Sequence, residues 1–136
     1  MARRPPALRV RRDPAELARV RRAVGAWAEA AGLDRRAAHR AQLAVDETVA
    51  NAIEHGMAPD GRVTVRGVPG RGRLEVTVRY RGPRFDPTTA PAPDPGQALR
   101  QRAEHGYGLH IVRRLAEVGY TWDRGANEVR LVVRAA

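Results

Sequence analysis

The stretch AVDETVANAIEHG, residues 44–56, combines two patterns at helical spacing. Apolar side chains recur along it as on the buried face of a helix. Glu47, Asn51 and His55 recur every fourth residue, and at about 100° per residue they form a polar stripe beside the apolar one. A carboxylate and an amide one turn apart are oxygen donors that suit Mg²⁺ together with waters and substrate phosphates. The same spacing is also typical of a solvated helix edge, so the stripe alone leaves both interpretations open.

Upstream of this stretch, the sequence predicts a short strand and two helices. Residues 7–12 alternate as a strand does, and Asp13-Pro14 then supplies an N-cap with proline at the first helical position. Apolar residues at helical spacing continue to Gly32, which is expected to end the first helix. Asp34 is the next N-cap candidate, and the second helix is predicted to run from there to about Gly56.

Downstream, the sequence predicts two hairpins separated by a loop and a third helix. Residues 62–68 and 73–80 alternate around the turn PGRG, and YTWDR pairs with EVRLVVRA across GAN. The segment GYGLHIVRRLAEVG, residues 106–119, is expected to be helical, and the proline-rich residues 87–105 before it form a loop. The predicted fold is one α+β domain over residues 1–136. It is a two-layer sandwich with a mixed, mostly antiparallel sheet and about three helices on one face.

Composition excludes several functions. The 136 residues carry a net charge of +10 and contain no cysteine, lysine or serine. Thiol chemistry, P-loop phosphate binding and serine-nucleophile hydrolysis are therefore excluded. No apolar run is long enough to span a membrane and no secretory signal is visible, so a cytoplasmic location is expected. Aromatic residues make up only 4% of the chain and the arginines are scattered, so nucleic-acid binding is not expected.

Two further stretches carry weaker signals. HGYGLHIV, residues 105–112, places Gly106 and Gly108 at the start of a helix, where backbone N–H groups and the helix dipole favour phosphate. YRGPRFDP, residues 80–87, follows a strand and turns the chain at Gly82. Each stretch taken alone is also consistent with an ordinary turn.

Taken in order, the three stretches resemble the motifs of the GHKL ATPase superfamily, most of all its small anti-sigma-factor serine kinases. Members carry E-x-x-x-N on a helix, then D-x-G-x-G-F-D-P after a strand, then G-x-G-L-x-I-V. The resemblance implies a Bergerat-type ATPase fold that binds ATP and Mg²⁺. Glu47 would be the general base, Asn51 the Mg²⁺ ligand, and residues 87–105 a mobile lid over the nucleotide. Gly82 would lie near the adenine, and the phosphates would meet Gly106, Gly108 and Leu109.

The sequence departs from this motif at the adenine end. Tyr80 stands where the family has the aspartate that accepts a hydrogen bond from the adenine amino group, and Arg84 replaces the second glycine. A buried hydrogen bond to a charged acceptor is worth about 1.5–3 kcal/mol, so ATP binding is expected to weaken if the ring points inward. Asp86 lies beyond a proline and is not expected to substitute.

The resemblance implies a protein kinase whose substrate is a serine on an anti-anti-sigma protein, with a sigma factor as the competing partner and a homodimer as a possible assembly. The alternative is a degenerate member of the same fold that holds a partner protein and uses nucleotide weakly or not at all. A third interpretation is a basic nucleic-acid-binding domain or an unrelated two-layer domain, and salt-dependent binding to duplex DNA would support it.

Overall fold

The computed structural model describes residues 7–56, 61–89 and 106–135. These ranges contain five strands and three α-helices. The strands are β1 Leu8–Arg11, β2 Arg62–Gly70, β3 Arg73–Arg81, β4 Glu117–Asp123 and β5 Ala126–Arg134. The helices are α1 Leu17–Ala30, α2 Arg35–Asn51 and α3 Gly106–Leu115. Short 3₁₀ turns occupy Pro14–Glu16 and Pro87–Thr89, and a π-helical turn covers Ala52–Gly56.

The strands form one sheet in the order β1-β2-β3-β5-β4, and every described pair is antiparallel. The predicted α+β sandwich is confirmed, and the described sheet is antiparallel throughout instead of mixed. Valine and leucine side chains on one face of β2, β3 and β5 are buried against the helices, with α2 in the centre between α1 and α3. None of the helices in these ranges is long and apolar enough to cross a membrane.

Both predicted helix starts are present. The Asp13 carboxylate accepts a hydrogen bond from the Ala15 N–H at 3.0 Å, and the Asp34 carboxylate accepts one from the Ala37 N–H at 2.8 Å. These bonds satisfy amide groups that have no partner inside the first helical turn. The caps position α1 and α2, which carry most of the helical contribution to the core.

The second helix differs from the prediction in its last turn. It is α-helical only to Asn51, and Ala52–Gly56 continue as a π-helical turn. The Arg12 guanidinium donates a hydrogen bond of 3.0 Å to the Ile53 carbonyl, which anchors this turn to the chain segment after β1. The polar stripe was predicted from an α-helical spacing of four residues. That spacing ends at Asn51, and His55 lies beyond it in the π-helical turn.

The third helix is shorter than predicted, because Glu117–Asp123 is a strand. β4 pairs with β5 along its whole length, from Glu117 opposite Val132 to Asp123 opposite Ala126. The turn between them is Arg124-Gly125, both with positive φ, and not the predicted Gly-Ala-Asn. Pairing with a neighbouring strand has overridden the helical periodicity of the AEVG segment.

Gly67 in β2 marks a close approach between the two layers. A Cβ atom at this position would lie 2.3 Å from ring atoms of Trp27 on α1. The indole therefore lies directly against the β2 backbone, where only glycine leaves room for it. This contact fixes where α1 sits on the sheet.

Candidate functional site

The helix end of the candidate site consists of Glu47 and Asn51, which α2 places one turn apart. Asn51 is 8% exposed, and its Nδ2 donates a hydrogen bond of 2.8 Å to the Glu47 backbone carbonyl. Because the nitrogen is committed to the helix, the amide oxygen is the atom that remains for a ligand. Within the described ranges no donor bonds to that oxygen. Glu47 is half-buried beside it.

This donor set fits a magnesium ion. A buried amide oxygen without a donor partner is a suitable ligand for a hard cation. Among the residues that the structure describes, no three His, Asp or Glu side chains group as an all-protein cage. Mg²⁺ commonly binds through one or two protein oxygens plus waters and substrate phosphates, and the helix end offers that kind of partial site.

The strand end of the candidate site consists of Tyr80, Tyr120, Asn127 and the turn at residues 82–85. Tyr80 lies near the end of β3 on the same sheet face as Val76 and Val78, and it is 5% exposed. Its ring therefore points into the helix-covered side of the sheet. Burial, with a smaller contribution from Tyr120, raises the pKa of Tyr80 to about 12. The position at which the sequence resemblance places an adenine-binding aspartate thus holds an aromatic ring that is neutral at pH 7.

Asn127 holds the turn that follows β3. It is fully buried, and its Nδ2 donates to the Pro83 carbonyl at 2.9 Å. Its Oδ1 accepts from the Phe85 N–H at 2.9 Å and also from the Tyr120 hydroxyl. Both polar atoms of the amide are therefore engaged in fixing the turn. The two bonds to the turn span more than forty residues of sequence, and with the Tyr120 bond they join β5, β4 and the turn into one unit.

Asn127 was missed by the sequence reasoning, which placed it in a hairpin turn. The usable signal was strand alternation: Asn127 has the same parity as Val129, Leu131 and Val133, the core-facing residues of β5. An asparagine at a core-facing position has to satisfy its amide inside the protein. Extending β5 backwards by two residues would have identified Asn127 as a buried polar group.

Gly82 lies in the turn that Asn127 holds. Its N–H donates to the Gly125 carbonyl at 3.2 Å, and neighbouring Arg81 donates to the Arg124 carbonyl at 3.0 Å. The turn is thereby tied to the β4–β5 turn as well. Asp86 does not replace the missing aspartate: its carboxylate accepts bonds from the Thr88 N–H and hydroxyl, at 2.8 and 2.6 Å, and so caps the Pro87–Thr89 turn.

The predicted phosphate-binding residues begin α3, as expected. The helix starts at Gly106, includes Gly108 and Leu109, and packs beside α2. From the same helix, Arg113 donates a hydrogen bond of 3.1 Å to the Thr88 carbonyl, which connects α3 to the first residues of the predicted lid. The rest of that lid, residues 90–105, lies outside the described residues. The roles assigned to Gly106, Gly108 and Leu109 remain predictions.

Comparison with known proteins identifies the fold. A family model described as the histidine kinase-like ATPase domain matches residues 10–133. The structure is similar to that of the RsbU and RsbW domains of Rv1364c from Mycobacterium tuberculosis. The TM-score is 0.62 at 22% identity, over 95% of this chain and 32% of that one. The histidine kinase AdeS from Acinetobacter baumannii aligns with a TM-score of 0.49 at 11% identity, over 97% of this chain and 68% of that one. A comparison with curated protein sequences gives no match.

Proposed function

Because the chain belongs to the histidine kinase-like ATPase domain family, we propose that it is an ATP-binding anti-sigma regulatory protein that acts in the cytoplasm. It phosphorylates a serine on an anti-anti-sigma protein and competes for a sigma factor. The observation that carries this proposal is the helix end, where a half-buried carboxylate and a buried amide with an available oxygen lie one turn apart. The protein spans only about a third of the Rv1364c chain that it resembles.

In the proposed reaction, Glu47 is the general base. Its carboxylate takes the proton from the serine hydroxyl as the serine oxygen bonds to the γ-phosphorus of ATP. The bond between the γ-phosphorus and the bridging oxygen breaks, and ADP leaves with the electron pair. Asn51 would hold Mg²⁺ through its amide oxygen, and the bound ion would neutralise phosphate charge. The start of α3 at Gly106 presents backbone N–H groups to the phosphates.

The strand end favours a second candidate function. Tyr80 points inward and is buried, and both polar atoms of Asn127 are engaged within the fold. This leaves adenine without the charged acceptor that the family motif supplies. The second candidate is therefore a protein-binding module of the same fold that uses nucleotide weakly or not at all. A partner with an acidic surface suits either candidate, because the chain carries a net charge of +10.

Calorimetric titration separates the two candidates. Mg-ATP and Mg-tripolyphosphate are each titrated into the wild-type protein and into Asn51→Ala. Gln42→Ala serves as the control, because Gln42 lies on α2 like Asn51 but its amide nitrogen donates to the Arg21 carbonyl of α1. The kinase proposal expects Mg-ATP to bind and Asn51→Ala to weaken that binding at least tenfold, with Gln42→Ala unchanged. If neither compound binds the wild-type protein, the kinase proposal is wrong and the binding module stands.

A further inference from the structure

The two edges of the described sheet, β1 and β4, are finished differently. An edge strand directs every second N–H and C=O group away from its neighbour, and those groups need another partner. At the four-residue β1, side chains supply one. Arg19 donates from both terminal nitrogens to the Arg9 carbonyl at 3.2 Å, and the Arg11 N–H donates to the Glu16 carboxylate at 3.4 Å. Arg19 and Glu16 also pair with each other at 2.8 Å, so their side chains cover backbone groups of this edge.

The β4 edge has no such cover among the described residues. Apart from the ladder with β5, none of the hydrogen bonds described in these ranges ends on a backbone group of Glu117–Asp123. The turn Pro87–Thr89 packs against β4, yet the bond that reaches the strand from this segment runs from the Phe85 N–H to the Tyr120 hydroxyl, at 3.2 Å. About half of the backbone groups of this seven-residue strand are therefore available to another strand.

The side chains of β4 also favour pairing. The strand contains no proline, and its acids, Glu117 and Asp123, stand only at its ends, so residues 118–122 are uncharged. Trp122 has the same parity as Tyr120, which packs against the core, but the Trp122 side chain is 44% exposed. The apolar face of the sheet thus continues to an edge that nothing described covers. Long, uncharged edge strands of this kind are templates for a further strand.

We propose that the β4 edge pairs with an extended segment of a partner protein. The backbone of that segment continues the sheet, and its apolar side chains, at every second position, cover Tyr120 and Trp122. The middle of the segment is uncharged, because it lies against residues 118–122. The proposal rests on the proposed function only in taking the partner to be a protein, and it requires no nucleotide.

A second copy of this chain fits the edge less well. If two β4 strands paired antiparallel along their full length, Glu117 of each copy would lie opposite Asp123 of the other. Like charges directly opposite destabilise a strand pair. Arg134 and Arg124 pair with these acids at 3.1 and 3.9 Å, but all four side chains are more than half exposed, so the pairs neutralise the acids only weakly.

A short peptide of alternating valine and threonine, with a lysine at each end, is the probe. The control is the same peptide with every amide N-methylated, which keeps the side chains and removes the backbone donors. The unmethylated peptide should bind without nucleotide and shift the backbone NMR signals of β4, and the methylated peptide should bind at least tenfold more weakly. Equal affinities would show apolar contact without strand pairing and overturn the proposal, as would the absence of binding.

Trp122→Lys tests the position of the docked strand. Val68→Lys is the matched control, because Val68 is also 44% exposed and lies in β2 of the same sheet. Trp122→Lys should weaken binding of the unmethylated peptide at least tenfold and Val68→Lys less than twofold. Equal losses in the two variants would place the peptide elsewhere and overturn the proposal.

Two measurements on the protein without peptide complete the test. In hydrogen exchange, protection should alternate along β4, because only every second amide bonds to β5; protection of every amide from 118 to 122 would show that the edge is already covered. In sedimentation, the chain should be a monomer or a dimer that survives Trp122→Lys. A dimer that Trp122→Lys dissociates would assign the edge to a second copy and overturn the proposal. Calorimetry with Mg-ATP reports on the kinase proposal separately.

Discussion

The helix end and the strand end of the candidate site each contain one buried asparagine, and the two amides are used differently. At the helix end, Asn51 commits only its nitrogen, to the Glu47 carbonyl, and its oxygen has no donor among the described residues. At the strand end, both polar atoms of Asn127 bond to the turn at residues 82–85 or to Tyr120. Since a buried polar atom normally has a partner, the incomplete set of bonds at Asn51 supports the proposal that its oxygen holds a ligand.

The two ends of the candidate site are therefore built differently. The helix end lies within a single turn of α2, where Asn51 bonds the Glu47 carbonyl. The strand end joins β3, β4, β5 and a turn, and here those elements are bonded to one another through Asn127. The helix end therefore keeps an amide oxygen without a described donor beside Glu47, while the strand end is packed and bonded within the fold.

The largest expected effect is on phosphate transfer at the helix end. Glu47→Gln should lower the transfer rate about a thousandfold, since general-base catalysis contributes about 10²–10⁴-fold. The thermal midpoint should be unchanged. Glu54→Gln, at an exposed position in the next turn, is the matched control and should retain full activity. A Glu47→Gln protein that phosphorylates its partner at the wild-type rate would refute the assignment of the base.

The next effect compares the two asparagines by stability. Asn127→Ala should lower the free energy of unfolding by about 3 kcal/mol, because the Phe85 N–H, the Pro83 carbonyl and the Tyr120 hydroxyl lose their buried partner. Asn51→Ala should cost about 1 kcal/mol, the worth of one hydrogen bond. Urea unfolding measures both values. If both variants lose a similar free energy of unfolding, the two asparagines do not differ in how much they stabilise the fold.

A smaller effect is expected when the family's acceptor is restored at the strand end. Tyr80→Asp should tighten Mg-ATP binding by about 1–2 kcal/mol, roughly tenfold, because the carboxylate can accept a hydrogen bond from the adenine amino group. Tyr80→Phe keeps the ring without the hydroxyl and should leave binding unchanged. The notion of a filled base pocket fails if the wild-type protein already binds Mg-ATP at low micromolar affinity and Tyr80→Asp changes nothing.

The most gradual effect, spread over about two pH units, is a pH dependence of stability caused by Tyr80. Its pKa is raised from 10.0 to about 12 by burial, so the unfolded chain loses this proton before the folded chain does. The unfolded state binds fewer protons between pH 10 and 12, and the free energy of unfolding should fall by roughly 1 kcal/mol per pH unit there. Tyr80→Phe should flatten this slope relative to the wild-type protein. If the free energy of unfolding falls with pH equally in both proteins, the ionisation of Tyr80 is not coupled to folding.

Local patterns in the sequence predicted much of the fold. Asp13 and Asp34 correctly predicted where the first two helices begin, because an N-cap bonds to an amide only two or three positions away. Alternation predicted the β2–β3 hairpin for the same reason. The end of α3 was predicted wrongly because residues 117–119 become a strand through pairing with β5, a partner that local periodicity does not reveal. The π-helical turn depends likewise on Arg12, forty-one residues from Ile53.

In the candidate site, too, features set by local sequence could be predicted and features set by distant contacts could not. Glu47 and Asn51 were identified by a spacing of four residues within one helix. The inward direction of Tyr80 was left open, because it depends on the register of β3 against β2 and β5. Asn127 was not recognised at all, since its importance comes from a turn more than forty residues earlier in the chain.

The contact between Trp27 and Gly67 also limits how the two layers can move. The indole fits only where β2 lacks a side chain, so the glycine acts as a notch that accepts one residue of α1. Sliding α1 by one helical turn in either direction would place Ala23 or Ala31 over Gly67 and leave part of the space empty. The expected loss of stability is comparable to the roughly 3–5 kcal/mol of a tryptophan-to-alanine cavity. A partner that displaces the sheet must therefore displace α1 together with it.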